Sequence, residues 1–310
     1  MTKSSKYPRL IGVFWEIDDF GEEEDDFGEE DLEGILRALR SSRRPVPDSL
    51  ERSLWLDLWR APVLDAIEEQ GVETRFYGPI QATVTAALPE APLLNLLLGA
   101  AEPGAVAEGH LVEALRWIDS LDLACRIPID PGHPEAGAAE EVLNQWGYER
   151  AESQVRFLRE ASTPEFPSPP GIEVAEIEQF TEGFGDLLGE GYELDASTGW
   201  FFDCLPGRYP WRCYLAFDED RRCLAAAATM ERIDAVHLGF AATAEEERGR
   251  GCHLALLHRV ILDACPRRPT LFAETTEPLR DRDGPSAGCR NLLRSGFRQA
   301  SVRTTWLRRG

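Results

Sequence analysis

The chain has almost no lysine: Lys3 and Lys6 stand against 31 arginines in 310 residues. A lysine nucleophile is thereby excluded from the body of the protein. There is also no C-x-x-C pair. Seven cysteines, at 125, 204, 213, 223, 252, 265 and 289, are odd in number and scattered, which argues against a zinc ribbon or a full disulfide set. Reduced, mostly buried thiols and no metal site are the expectation. No run approaches the roughly 18 consecutive apolar residues of a membrane span. The opening stretch MTKSSKYPRLIGVFWEIDDF lacks the apolar core and small-residue cleavage site of a signal peptide, so a cytoplasmic protein with no membrane partner is expected.

What is present is a soluble, globular composition, 43% hydrophobic and 28% charged, with a net charge of −22. That sign disfavours a nucleic-acid partner and is compatible with a cationic one. The charge is uneven: from Thr243 to Gly310 there are 13 arginines against 8 acidic residues, so an anionic ligand would be drawn to that end. Residues 16–33, EIDDFGEEEDDFGEEDLE, form an acidic block. Its oxygen spacing does not meet that of a calcium loop, and a solvated surface segment is the simpler reading.

STPEFPSPPG, Ser162–Gly171, carries four prolines and is the best domain boundary in the chain. It separates an acidic segment (1–49) and a first domain (50–161), through a linker (162–170), from a second domain (171–310). The two parts read as copies. In the second, the pattern predicts strand 236–243, helix 250–264, strand 270–276, helix 285–295, Gly296-Phe297 and a last strand. In the first, it predicts strand 92–100, helix 109–120, strand 124–130, helix 137–146, Gly147-Tyr148 and a last strand. Gly147 precedes Phe157-Leu158-Arg159, and Gly296 precedes Trp306-Leu307-Arg308, at the same offset, which supports duplication. Strand-helix-strand order implies a right-handed parallel crossover, hence an α/β or mixed α+β fold.

Between strand 236–243 and helix 250–264 lies Arg248-Gly249-Arg250-Gly251. A helix start presents unpartnered N–H groups and the positive end of the helix dipole, and glycines let an anion approach. No lysine or hydroxyl follows as a Walker loop requires, and Leu254 stands where the dinucleotide fingerprint needs glycine. The succession strand, R-x-x-G-x, helix, strand, helix, Gly-Phe, strand resembles the core of the GNAT acetyltransferases. Their Q/R-x-x-G-x-G/A turn binds the pyrophosphate of coenzyme A. Arg248 matches the Q/R position and Gly251 the central glycine, with His253 where Gly or Ala is usual. CRNLLRSGF, 289–297, resembles the helix near the thiol end. Together the halves resemble tandem GNAT proteins with a degenerate first copy, each a mostly antiparallel mixed sheet flanked by helices. In the first copy the equivalent turn, 99–111, lacks the R-x-x-G and carries Glu102 and Glu108, which would repel a pyrophosphate.

The resemblance implies acetyl-CoA as co-substrate, held by Arg248, Gly249, Arg250, Gly251, Cys252 and His253, by backbone groups of Phe240, Ala241, Ala242 and Thr243, and by Asn291. Arg290, Arg294 and Arg298 are candidates for the 3′-phosphate. The implied reaction is acetyl transfer to a primary amine, of a small molecule or peptide, by direct attack in a ternary complex, in a monomer or homodimer. An acyl-CoA-binding regulatory or interaction protein without turnover is the alternative. Candidate general bases are His237, Glu274 and Glu231, with Glu193 a fourth. The family's usual acid, a tyrosine five residues before the Phe of Gly-Phe, is replaced by Leu292; Ser286 or a water is the remaining donor. Cys252 and Cys289 read as small apolar residues, and Trp200, Phe201 and Tyr209 as candidates to face the acceptor.

Overall fold

The computed structural model describes residues 48–308 apart from 63, 195–197, 234 and 278–285. The acidic block 16–33 lies outside the described residues. The first half contains helices α1 (Asp48–Arg60) and α2 (Leu64–Glu69), strands β1 (Val72–Tyr77), β2 (Ile80–Thr85) and β3 (Leu96–Leu98), then α3 (His110–Leu121), β4 (Arg126–Ile129), α4 (Ala136–Gln145) and β5 (Tyr148–Glu160). The second contains β6 (Glu173–Ile177), α5 (Phe184–Gly191), α6 (Trp200–Asp203), β7 (Trp211–Phe217), β8 (Cys223–Glu231), β9 (Ala235–Thr243), α7 (Cys252–Ala264), β10 (Thr270–Glu277), α8 (Ala287–Arg294) and β11 (Arg298–Arg308). Residues 162–170 form neither helix nor strand.

The repeated order of the two halves is present, strand, helix, strand, helix, strand. The strand expected over 92–100 shrinks to Leu96–Leu98 because Asn95 folds the preceding chain into a turn. Its Oδ1 accepts from Thr85 N at 2.7 Å, and its Nδ2 donates to Leu88 O at 2.9 Å and Ala91 O at 3.2 Å. A short polar side chain bonded to nearby backbone competes with the ladder for those groups.

The eleven strands of the described residues join one sheet in the order β1-β2-β3-β4-β11-β5-β10-β9-β8-β7-β6. Only β3–β4 and β9–β10 pair parallel, as each half's strand-helix-strand unit requires. The last strand of each half crosses into the other: β11 lies between β4 and β5, and β5 lies between β11 and β10. Side chains follow. Trp306 of β11 is buried in the first-half core with Leu97, Leu115 and Ile127, while Val155 and Phe157 of β5 are buried in the second-half core with Leu238 and Leu271. Helix α1 also crosses, placing Leu54, Trp55, Leu58 and Trp59 in that second core.

Every residue of β9 is buried, as befits a central strand covered on both faces. A bulge sits at Gly239, where the register with β8 shifts between Ala228 and Thr229. Bulges sharpen local twist. The parallel pairing of β9 with β10 spans 235–238 against 270–273 and goes no further, so beyond Leu238 and Ala273 the two strands part.

Candidate active site

The opening between β9 and β10 leads directly into the glycine turn. After β9 come one 3-10 turn, Glu245–Glu247, and an extended Arg248. Gly249 and Gly251 adopt φ of 81° and 84°, and Gly251 is the N-cap of α7. Side chains other than glycine rarely adopt this left-handed conformation, which explains both glycines. The arginines are less open than the charge count suggests. Arg250 is paired with Glu247, and Arg222 Nη2 stands 3.7 Å from the same carboxylate. Cys252 is buried and its thiol donates to Glu247 O at 3.7 Å.

His253 is 3% exposed and turned toward α8, where Asn291 Nδ2 donates to its Nδ1 at 3.0 Å. That bond leaves the ring proton on Nε2 of a neutral imidazole, and burial pushes the His253 pKa down to about 3. His253 and Asn291 therefore tie the start of α7 to α8. Ser286 caps α8, accepting from Cys289 N at 3.1 Å. Leu292, at the position of the usual acid, and Cys289 are core residues.

Along β9, Phe240, Ala241, Ala242 and Thr243 are buried, and the amide of Ala241 donates to the hydroxyl of Tyr192 at 3.0 Å. Tyr192, at the C-cap of α5, thus stands on the β9 edge that β10 has left. No periodicity or motif singled it out. Phe240 packs edge-on against Trp55 at 5.5 Å and Tyr192 at 5.7 Å.

The four candidate bases are not brought together. His237 is fully buried against Phe272, 4.6 Å between ring centroids, with neither ring nitrogen hydrogen-bonded. Burial pushes its pKa down to about 3, so it is a neutral core side chain. Glu274 is fully buried, accepting from Arg156 Nε at 2.7 Å and Arg303 Nη2 at 2.8 Å. Burial raises its pKa against the pull of Arg303 and Arg156. Glu51 of α1 completes this cluster, accepting from Arg156 Nη2 at 2.9 Å and Arg303 Nη1 at 2.6 Å. Glu231 lies at the far end of β8 beneath Arg212, Arg267 and Arg268, at 2.8, 2.7 and 3.2 Å. Glu193 is exposed, follows Tyr192, and has its pKa raised by partial burial. Of the aromatic candidates, Trp200 stacks on buried Phe201 at 4.0 Å, and Tyr209 is 82% exposed.

The first half repeats the turn. Gly109, φ 82°, is the N-cap of α3 just as Gly251 is of α7. The loop before it holds an anion of the chain's own: Glu135, the N-cap of α4, accepts from Gly104 N at 2.7 Å, Val106 N at 2.6 Å and Ala107 N at 3.2 Å. These bonds, that from Gly104 first, lower its pKa. Glu102 and Glu108, expected to repel an anion there, are instead drawn to Arg52 and to His110. The second half has the hydroxyl of Ser286 where the first has the carboxylate of Glu135.

No protein-family model and no curated protein matches the chain. Among solved structures it is similar to a GCN5-related N-acetyltransferase from Kribbella flavida, at 16% identity and TM-score 0.54 over 77% of this chain and 90% of that one. It is also similar to a GCN5-related N-acetyltransferase from Sphaerobacter thermophilus, at 15% identity and TM-score 0.50 over 79% and 84%. A conserved protein of unknown function from Staphylococcus epidermidis shares the architecture at 8% identity and TM-score 0.53, over 80% and 98%. The likeness is one of fold.

Proposed function

We propose that this chain, which has the GNAT fold, is an N-acetyltransferase that moves an acetyl group from acetyl-CoA to a primary amine in its second half. The observation that carries the reading is the junction of two features: a parallel strand pair that parts after Leu238 and the left-handed Gly251 that starts α7. The cofactor brings an activated thioester. The chain's part is to hold it, with the backbone of the Arg248–Cys252 turn toward the pyrophosphate and the freed edge of β9 toward the pantetheine. His253 and Asn291 brace the two helices between which it lies.

In the reaction the amine nitrogen attacks the thioester carbonyl, the C–N bond forms as the C–S bond breaks, and the thiolate leaves. Alignment supplies much of the rate. The proton of the amine needs an acceptor in contact with solvent. His237, Glu274 and Glu231 are buried or held by arginines, whereas Glu193 is exposed, with its pKa raised by partial burial. We assign it the base, acting directly or through water.

Calorimetric titration of acetyl-CoA into the wild type and Gly251→Glu, with thermal unfolding as a check of folding, tests this. Micromolar binding that the substitution abolishes in a folded protein is the expected result. No wild-type binding leaves the likeness architectural. A second reading, an acyl-CoA-binding regulator without turnover, is favoured by Leu292, a core residue in place of the acid. Wild-type binding with no acetylation across a broad amine panel selects it.

A further inference from the structure

At the other end of α8 from its Ser286 cap, a cavity of about 430 Å³ opens between that helix, the end of β5 and the chain that follows it. Arg159 forms one wall and is 5% exposed. Its guanidinium donates only to carbonyl oxygens: Ser295 O at 2.8 Å, Glu160 O at 3.0 Å, Ser162 O at 2.7 Å and Thr163 O at 3.3 Å. Four of its five N–H groups are used, one Nη2 hydrogen remains, and no carboxylate lies within ion-pair distance among the described residues. A buried cation ordinarily has an anionic partner, because leaving water costs several kcal/mol. Two further lining groups point the same way. The Ser295 hydroxyl is buried without a hydrogen bond, and Arg298 at the mouth is exposed with no ion pair among the described residues.

We propose that this cavity is a binding site for a small organic monocarboxylate, separate from the acetyl-transfer site. The carboxylate would accept from Arg159, Ser295 and Arg298, as planar oxygens suit guanidinium forks. Leu158 and Phe166 provide an apolar wall for the body of the ligand. Glu160 and Glu165 also line the cavity. The two carboxylates offset two of the three lining arginines, Arg159, Arg294 and Arg298, and the single net positive charge selects a monocarboxylate over a phosphate.

The test is fluorine NMR of para-fluorobenzoate with the full chain, with para-fluorobenzyl alcohol as the neutral control and inorganic phosphate as a competitor. Expected are broadening of the benzoate signal by the wild type, none of the alcohol signal, and affinity weaker by about tenfold in Arg298→Glu. Ser295→Ala is expected to weaken it as well. Arg298→Glu should melt with the wild type, since that side chain is exposed and has no ion pair among the described residues. Absence of broadening, equal broadening of the alcohol, or affinity unchanged in Arg298→Glu each overturns the proposal. Full displacement at stoichiometric phosphate would assign the site to a different anion and overturn the carboxylate. None of these outcomes depends on acetyl-CoA binding.

Discussion

The caps of the two matching helices, α4 and α8, carry different side chains. Glu135 fills a nest of three backbone N–H groups in the first half, and Ser286 at the matching cap cannot do the same in the second. Because the folded pKa of Glu135 is lowered, its contribution to stability is present above the ordinary carboxylate range and lost as pH falls through the lowered value. Glu135→Ala should therefore melt below the wild type at neutral pH and converge with it in acid. Inorganic phosphate should raise its melting temperature more than that of the wild type, because the emptied nest takes an anion. Equal phosphate effects would sink the nest reading. His237 carries the opposite kind of information. Held neutral with a pKa of about 3 against an ordinary 6.5, it costs stability as pH falls through that window, by roughly 1.4 kcal/mol per pH unit. Glu152, pushed up to about 7 by burial, opposes it over part of the range. On going from neutral to mildly acid pH the urea midpoint of His237→Leu should therefore rise relative to that of the wild type; an unchanged offset between the two would show that the ring gains its proton as readily in the folded chain as in the unfolded one.

Among the elements, those with a local signature were legible in advance. Helix α7 lies within one or two residues of expectation because a left-handed glycine starts it, and α8 because Ser286 caps it and Gly296 with φ 79° ends it. Both helices were therefore legible from their ends. Helix α1 was not, since its partners are remote in sequence: Glu51 meets Arg156 and Arg303, and Leu54 fills the space that a side chain on Gly239 would take. The same cluster explains why Glu274, a plausible base by strand position, turns out to hold the core together. Glu51→Ala leaves two buried guanidinium groups short of an acceptor and should destabilise the protein by about 3–5 kcal/mol, read from urea unfolding. Glu51→Gln, which keeps an acceptor oxygen, should cost less. Equal, small effects for both would mean that water reaches the cluster.

At the scale of the whole molecule the boundary at 162–170 divides the sequence without dividing the structure. Hydrophobic pattern reports which residues form strands and not which strands become neighbours, so the exchange of β5 and β11 had no local sign. Its consequence is strong. Residues 1–161 alone lack β11, and with it Trp306 from the first core and Arg303 from the ion cluster; residues 162–310 alone lack β5, Phe157, Arg156 and all of α1. Each fragment would expose three strand edges that the native sheet pairs, a condition that favours aggregation. The two fragments should therefore fail to fold separately and form a one-to-one complex with native circular dichroism when refolded together. Nicking the full chain within 162–170 should leave a single cooperative thermal transition, because three strand pairings join the two sides of the nick. A second half that folded alone as a monomer with a sharp transition would show that its sheet closes without β5, and the two copies would then be joined in one chain without depending on each other for folding.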